Sequence, residues 1–294
     1  GSGQDIILDF TTSYNPPEGY ANKFKHMDVF EIRGYGIKYA SDILSQVSNN
    51  TDGFAEILLP GSDSVILHGV DAADLKPRHF RVMPAIDNII KGTYENDILI
   101  GTDGNDYIKG SELPQARFSD GFDIIDGGKG NDSLEGGDWQ RAGGGTEIDL
   151  YRFDADYGED IIFGFYANDI LLTGEFNGPG VRSDKIEIPN DLVSSASEII
   201  SSSINNPDGF AELNFSNTKL TLHNISNEDL RPDYFFIVPR TENNITGTDG
   251  NDRLTGTNGN DYISGSNMPF FQFDDGSDLL IGGQGDDVLH GGKI

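Results

Sequence analysis

The chain of 294 residues holds no cysteine, 38 glycines, and 49 acidic against 20 basic residues, for a formal charge of −29. Without cysteine there is no disulfide framework and no Cys-ligated zinc or iron; acidity of this size argues against nucleic acid and anionic membrane surfaces and invites cations. No signal peptide and no run of eighteen apolar residues appears, and 36% hydrophobic residues is poor material for an ordinary core.

Taken in order, residues 1–10 carry "GQDIILDF" from Gly3, and residues 11–27 read as a linker. Over residues 28–91, "SDILSQVSNN" from Ser41 predicts a short helix with a Ser cap, and "FAEILLP", "SVILHG" and "HFRVM" predict half-buried strands. From Gly92 the character changes to nine-residue windows with Asp sixth and an apolar residue eighth. They are "GTYENDILI" from Gly92, "GTDGNDYIK" from Gly101, "FSDGFDIID" from Phe118 and "GGKGNDSLE" from Gly127, with looser versions from Gly144 and Ala155. Residues 166–243 return to a Ser-capped helix, "SASEIISSSINN" from Ser195, and strands in "FAELNF", "KLTLHN" and "YFFIV". The windows resume from Gly247, Gly256, Phe273 and Gly282 and occupy residues 244–294.

The eighth position reads Leu99, Ile108, Ile125, Leu134, Tyr151, Ile162, Leu254, Ile263, Leu280 and Leu289, with no polar interruption. Glycine permits the left-handed, closely approaching backbone of a six-residue turn. A short strand of about three residues then points its eighth side chain into a thin core. Turns of this kind offer backbone carbonyls and carboxylates, the hard oxygens that calcium takes in flexible sets of six to eight; magnesium demands stricter geometry.

A longer period overlies the short one. "GQDIILDF" aligns with "GEDIIFGF" from Gly158 at an offset of 155, and "TDGFAEI" from Thr51, "LHGVDAADLKP" from Leu67 and "GTDGNDYIKGS" from Gly101 find counterparts from Pro207, Leu222 and Gly256. The chain therefore reads as a tandem duplication, expected to continue in both directions in the natural protein. Window starts step by 9 and then 17, so eight-residue excursions leave at one phase, "GSELPQAR" from Gly110, "GGDWQRAG" from Gly136 and "GSNMPFFQ" from Gly265. These hold or adjoin Arg117, Trp139, Arg141, Phe270 and Phe271. Aromatics and Arg on loops mark binding, with carbohydrate a natural ligand; packing on one another as an auxiliary core is the alternative. His68 and His223 have no second His, Cys or activated Ser at ligand or triad spacing and read as structural residues at strand ends. No catalytic site is found, and a non-enzyme is expected.

The windows resemble the GGxGxDxUx nonapeptide of RTX (repeats-in-toxin, hemolysin-type) calcium-binding proteins, in tandem modules similar to the C-terminal β-roll regions of serralysin-type and other type I secreted proteins. The resemblance implies a mainly β fold in which parallel β-roll coils alternate with small strand-rich capping units containing a short helix. Residues 1–10 would be the tail of a preceding roll, 28–91 and 166–243 the capping units, and 92–165 and 244–294 the rolls.

It also implies an ion between each turn and the next but one, held by carbonyls at positions one, three and five of the earlier turn, and by carbonyls at two and four plus the sixth-position Asp of the later. That pairs Asp97 with Asp123, Asp106 with Asp132, Asp123 with Asp149, Asp132 with Asp160, Asp252 with Asp278, and Asp261 with Asp287, about six Ca2+ sites. The implied donors are Gly92, Tyr94, Asn96, Asp97, Gly101, Asp103, Asn105 and Asp106, then Phe118, Ser119, Asp120, Gly121, Phe122 and Asp123. Gly127, Gly128, Lys129, Gly130, Asn131 and Asp132 follow, with Asp149, Gly158 and Asp160. In the second roll they are Gly247, Asp249, Asn251, Asp252, Gly256, Asn258, Asn260 and Asp261, and Asp274, Gly276, Asp278, Gly283, Gly285 and Asp287. Glu147 and Ile148 before Asp149, and Ala155 and Asp156 before Asp160, depart from the pattern.

The function expected is a calcium-binding structural and folding module of a larger secreted or cell-surface protein, exported by a type I route, whose partners are calcium and neighbouring repeats of the same parent. The alternatives are a calcium-dependent carbohydrate-binding or adhesion module using loops 110–117, 136–143 and 265–272 on a surface polysaccharide, and an ancillary part of an exported hydrolase or epimerase.

Overall fold

The structure is a computed structural model that describes residues 4–8, 10, 12, 28–111, 121–137, 148–165, 167, 183–248, 250–265 and 277–291. A first unit contains strands β1 (Gln4–Ile7), β2 (Phe30–Arg33), β3 (Ser48–Asn49), β4 (Ala55–Leu59), β5 (Asp63–Leu67) and β6 (Phe80–Met83), with helix α1 (Ala40–Leu44). The first roll follows as β7 (Asn88–Lys91), β8 (Ile98–Ile100), β9 (Asp106–Lys109), β10 (Ile124–Asp126), β11 (Ser133–Glu135), β12 (Leu150–Arg152) and β13 (Glu159–Phe163). A second unit brings β14 (Lys185–Pro189), α2 (Ala196–Ser202), β15 (Ile204–Asn205), β16 (Ala211–Phe215), β17 (Thr218–Leu222) and β18 (Phe235–Val238). The second roll holds β19 (Asn243–Thr246), β20 (Arg253–Thr255), β21 (Asp261–Ser264), β22 (Leu279–Ile281) and β23 (Val288–His290).

Successive windows fall on opposite sheets, so the chain coils. β8, β10 and β12 pair in parallel on one side, Ile98 opposite Ile124 and Ile124 opposite Leu150, a step of 26 residues per coil. β7, β9, β11 and β13 pair in parallel on the other, and the step from Ser133 to Ile161 stretches to 28. The second unit does not merely lean on the roll. It continues both sheets, β14 pairing in parallel with β12 and β17 with β13, after which β16 and β15 turn antiparallel. Addition of these strands covers the N–H and C=O row that β12 and β13 would otherwise present as open edges.

The eighth-position side chains Ile108, Ile125, Leu134, Tyr151 and Ile162 are buried in one core that runs on without a break into Ile186, Leu213, Leu220 and Leu222 of the second unit. The first unit has a core of its own around Ile43, Ile57, Leu67 and Phe80. At about 25 cal/mol per Å² of apolar area removed from water, three-residue strands yield little each; a shared core lets the roll draw on the unit behind it.

The helix caps differ from expectation in the first unit. α2 starts as its sequence predicts, Ser195 Oγ accepting the Glu198 N–H. Ser41, by contrast, lies inside α1, whose N-cap is Tyr39 with no side-chain bond. The helix is closed instead by Asp208 of the second unit, which accepts from the Ala40 and Ser41 N–H groups at 2.8 and 2.7 Å. A long-range carboxylate has replaced the local hydroxyl.

Candidate metal centre

Along each turn edge the sixth-position aspartates stack. The Asp97 N–H donates to Asp123 Oδ1 at 2.9 Å, Asp106 to Asp132 at 2.7 Å, Asp123 to Asp149 at 3.0 Å and Asp132 to Asp160 at 2.8 Å. In the second roll Asp252 donates to Asp278 and Asp261 to Asp287, both at 2.9 Å. One further link was not foreseen: the Asp149 N–H donates to Asp184 Oδ1 at 3.0 Å, carrying the stack into the second unit. A signal for it stood in the sequence, since Asp184 and Ile186 keep the Asp-x-apolar phase, but no glycine turn of the repeat precedes them.

Each such bond uses one carboxylate oxygen and aims the other into the turn. Oδ2 of Asp132, of Asp160 and of Asp278 is buried with no hydrogen-bond partner. A buried, unsatisfied carboxylate oxygen is costly unless a cation meets it. Burial, reinforced by neighbouring carboxylates, pushes the Asp132 carboxyl up to about 7 and Asp160 up to about 8 against the Oδ1 bonds that favour the charged form.

Glycine shapes the cradle. A Cβ on Gly127, Gly265 or Gly282 would collide with Oδ2 of Asp132, Asp278 or Asp287, and one on Gly128 or Gly283 would strike the Thr102 or Thr257 carbonyl of the turn beneath. Gly128 and Gly130 also lie at φ of 81° and 119°, conformations that L side chains resist. Fifth-position asparagines tie turn to turn through their side chains, Asn96 Oδ1 accepting from Phe122, Asn105 from Asn131, Asn131 from Glu159, Asn251 from Ser277 and Asn260 from Asp286. The Tyr94, Asp103, Lys129 and Asn258 side chains are exposed, and Lys129 pairs with Asp103 at 3.9 Å.

Where the excursions leave, the column differs from the window spacing. Gly92 N–H donates to the Lys109 carbonyl and Gly110 N–H to that of Glu135, as Gly101 does to Asp126. Gly110, with Asp123 Oδ2 against its Cβ direction, thus heads the turn that ends at Asp123, in the place the spacing assigns to Phe118. Gly136 and Gly265 stand in the same relation to Asp149 and Asp278. Phe118, Ser119, Asp120, Asp249, Asp274 and Gly276 lie outside the described residues, as do Arg117, Trp139, Arg141, Phe270 and Phe271.

Among the described residues, no three His, Asp or Glu side chains converge as a metal-binding group. The available donors are of another kind: one inward carboxylate oxygen per stacked turn beside glycine-lined backbone. All are hard oxygens, the set that suits calcium and not zinc or copper.

A family model described as RTX calcium-binding nonapeptide repeat (4 copies) matches residues 86–112, 119–138, 152–178, 241–267 and 274–293. No curated protein matches the chain. Among solved structures, an extracellular lipase, LipA, from Serratia marcescens is similar at 14% identity over 80% of this chain, with a TM-score of 0.26. The chain spans 34% of that lipase's length. With parallel coils, a sixth-position aspartate in every turn and an apolar eighth residue in the core, the two rolls of this chain are RTX calcium-binding nonapeptide repeats.

Proposed function

We propose that the chain is a calcium-driven structural module of a larger secreted or cell-surface protein, one that crosses the membrane by a type I route unfolded and folds where calcium is abundant. The observation that supports this reading above others is the buried Oδ2 of Asp132, Asp160 and Asp278, each without a hydrogen-bond partner, those of Asp132 and Asp278 lying against Gly127 and Gly265. Bound calcium supplies positive charge and a multidentate oxygen centre there. Asp123, Asp132, Asp149, Asp160, Asp184, Asp278 and Asp287 each lend one carboxylate, giving seven sites in the described stacks. Backbone carbonyls of the turn beneath complete each set.

The charge of −29 explains the coupling to folding. Stacked carboxylates repel, so the metal-free roll is opposed by its own field, and binding free energy becomes folding free energy. An ion that spans two turns also orders the turn its neighbour needs, which makes the transition cooperative. Extracellular modules of this kind hold calcium at about 10⁻⁴ to 10⁻³ M, weak enough to stay empty in a cytosol and fill outside.

Calorimetric titration of the metal-stripped chain, read beside circular dichroism, tests the proposal. Expected are close to seven calcium ions and a steep gain of β signal over the same concentrations, with magnesium a poor substitute. Tight folding in excess chelator, or a stoichiometry of one or two, overturns it.

A further inference from the structure

Five of the glycines that open a turn sit between the same two oxygens. A Cβ on Gly92, Gly101 or Gly110 would meet the carboxylate of its own turn, Oδ2 of Asp97, Asp106 or Asp123, and the carbonyl of Gly110, Gly127 or Gly136. Gly247 and Gly256 repeat the arrangement with Asp252 and Asp261 and the carbonyls of Gly265 and Gly282. The second oxygen always comes from the glycine that opens the next turn in the stack. Position one is among the donors that the repeat resemblance implies.

At Gly136 that oxygen has another source. A Cβ there would strike Asp149 Oδ2, as in the other turns, but the second oxygen, 2.8 Å away, is Tyr151 Oη. Hydrogen bonding changes at the same point. The N–H groups of Gly92, Gly110, Gly247 and Gly265 donate to the carbonyls of Lys109, Glu135, Ser264 and His290, whereas the Gly136 N–H donates to Tyr151 Oη at 2.8 Å. A side chain reaching through the core has replaced backbone.

Packing alone does not call for that oxygen. Tyr151 is fully buried, and it is the one eighth-position residue that is neither Leu nor Ile. Its ring packs 6.2 Å from that of Phe165, a contact that Phe would make as well without taking a hydroxyl out of water. The window that carries this tyrosine is also the one in which Glu147 and Ile148 displace the Gly-x pair, so the extra oxygen accompanies a turn that departs from the repeat.

On the calcium reading above, we propose that Tyr151 Oη is a ligand of the ion on Asp149, standing in for the carbonyl of an opening glycine. The Gly136 N–H occupies one lone pair of the phenol and leaves a second. A phenol oxygen is hard and neutral, as a carbonyl is, so it adds to the oxygen set without adding charge to a column of carboxylates. The site stands where the column passes from the roll to Asp184 of the second unit.

Tyr151→Phe in the full chain removes the oxygen and keeps the ring. Bound ions are counted by equilibrium dialysis at saturating calcium, beside the native chain and Ile125→Val, which trims the residue paired with Tyr151 and touches no donor. Tyr151→Phe is expected to hold one ion fewer with unchanged circular dichroism, and Ile125→Val to hold the native number. A full ion count in Tyr151→Phe, with or without lost stability, would reduce the hydroxyl to a partner of Gly136 and overturn the proposal alone. A native chain that binds no calcium overturns the underlying reading with it. Should Tyr151→Phe fail to fold, terbium in place of calcium decides, because light absorbed by a tyrosine passes to a bound terbium only over a short distance. Asp149→Asn is then expected to remove a larger share of the tyrosine-sensitised emission than Asp278→Asn; equal losses refute the ligand.

Discussion

Asp106 and Asp132 occupy the same place in successive coils of one stack, yet their carboxylates live differently. Asp106 is enclosed by donors: Asn88 Nδ2 reaches Oδ1 at 2.7 Å, and the Thr102 N–H and hydroxyl reach Oδ2 at 2.5 and 3.0 Å. Asp132 receives one backbone N–H on Oδ1 and nothing on Oδ2. The second roll repeats the contrast, with Thr257 and Asn243 around Asp261 and an orphan oxygen on Asp278. Thr93 and Thr248 serve Asp97 and Asp252 in the same way. The carboxylate of the first turn on each sheet is therefore met by the chain's own amides and hydroxyls, and in the proposed reading a cation partners the carboxylates that stack on it.

Removing calcium separates the two classes most strongly. In excess chelator the stacked turns should come apart, with loss of most roll β signal and a return midpoint near 10⁻⁴ to 10⁻³ M. Hydrogen exchange resolves the comparison further, because amides of the first unit, which has its own core, should stay protected while those of β10, β11 and β22 exchange freely. Uniform protection in chelator would break the distinction between first and stacked turns.

Single substitutions come next in size. Asp132→Ala should remove one ion and raise the calcium midpoint about tenfold, since loss of the inward oxygen also weakens the neighbour that shares its turn. Asp106→Ala should leave the stoichiometry alone and cost about 1–3 kcal/mol of stability through its unsatisfied donors. Paired titrations of the two variants measure this directly; equal changes in ion count would show that the Thr-capped carboxylate is a ligand after all.

Much of this was legible beforehand. Period nine, the eighth-position core and the 26-residue step all follow from spacing, because a coil that returns to the same sheet must return in phase. Less visible was what the second position encodes. Thr93, Thr102, Thr248 and Thr257 stand second in first turns, whereas Gly128 and Gly283 stand second in stacked turns, where the backbone passes too close to Thr102 O or Thr257 O for a Cβ. A repeat template treats that Thr and Gly as equivalent; only the turn beneath distinguishes them. Asp184 escaped for the opposite reason, its carboxylate keeping the repeat's phase while its backbone belongs to the unit behind the roll. The Asp208 cap on α1 is out of reach of any local pattern, the partners being 168 residues apart.

Acid should do part of calcium's work, and only on one class of carboxylate. Without metal, the folded-state values of Asp132 and Asp160, pushed up to about 7 and about 8 by burial, lie above the unfolded value of about 3.9. The folded roll then binds more protons than the unfolded chain between those limits, so its stability falls as pH rises through 7 to 8 and recovers on acidification. Asp261 has the opposite sign, its carboxyl held below the usual range first by the Thr257 N–H, so its contribution is lost only in stronger acid. A chelated sample should accordingly regain part of its β signal between pH 8 and pH 5. No gain over that interval would mean that the stacked carboxylates find other partners once the metal is gone.

Thr102→Val is the smallest and the most selective probe. It removes the hydroxyl that reaches Asp106 Oδ2 and also receives the Gly104 N–H at 3.1 Å, while the backbone N–H to the same carboxylate survives. Loss of a partly exposed hydroxyl with one remaining donor costs about 1 kcal/mol, enough to move a thermal midpoint by a few degrees. If the first turn is closed without metal, the loss should be the same size at saturating calcium and in chelator, and the ion count and calcium midpoint should not change. A calcium-dependent penalty would mean that Thr102 helps to hold an ion, and the first turn would then join the stacked ones in needing a cation to close.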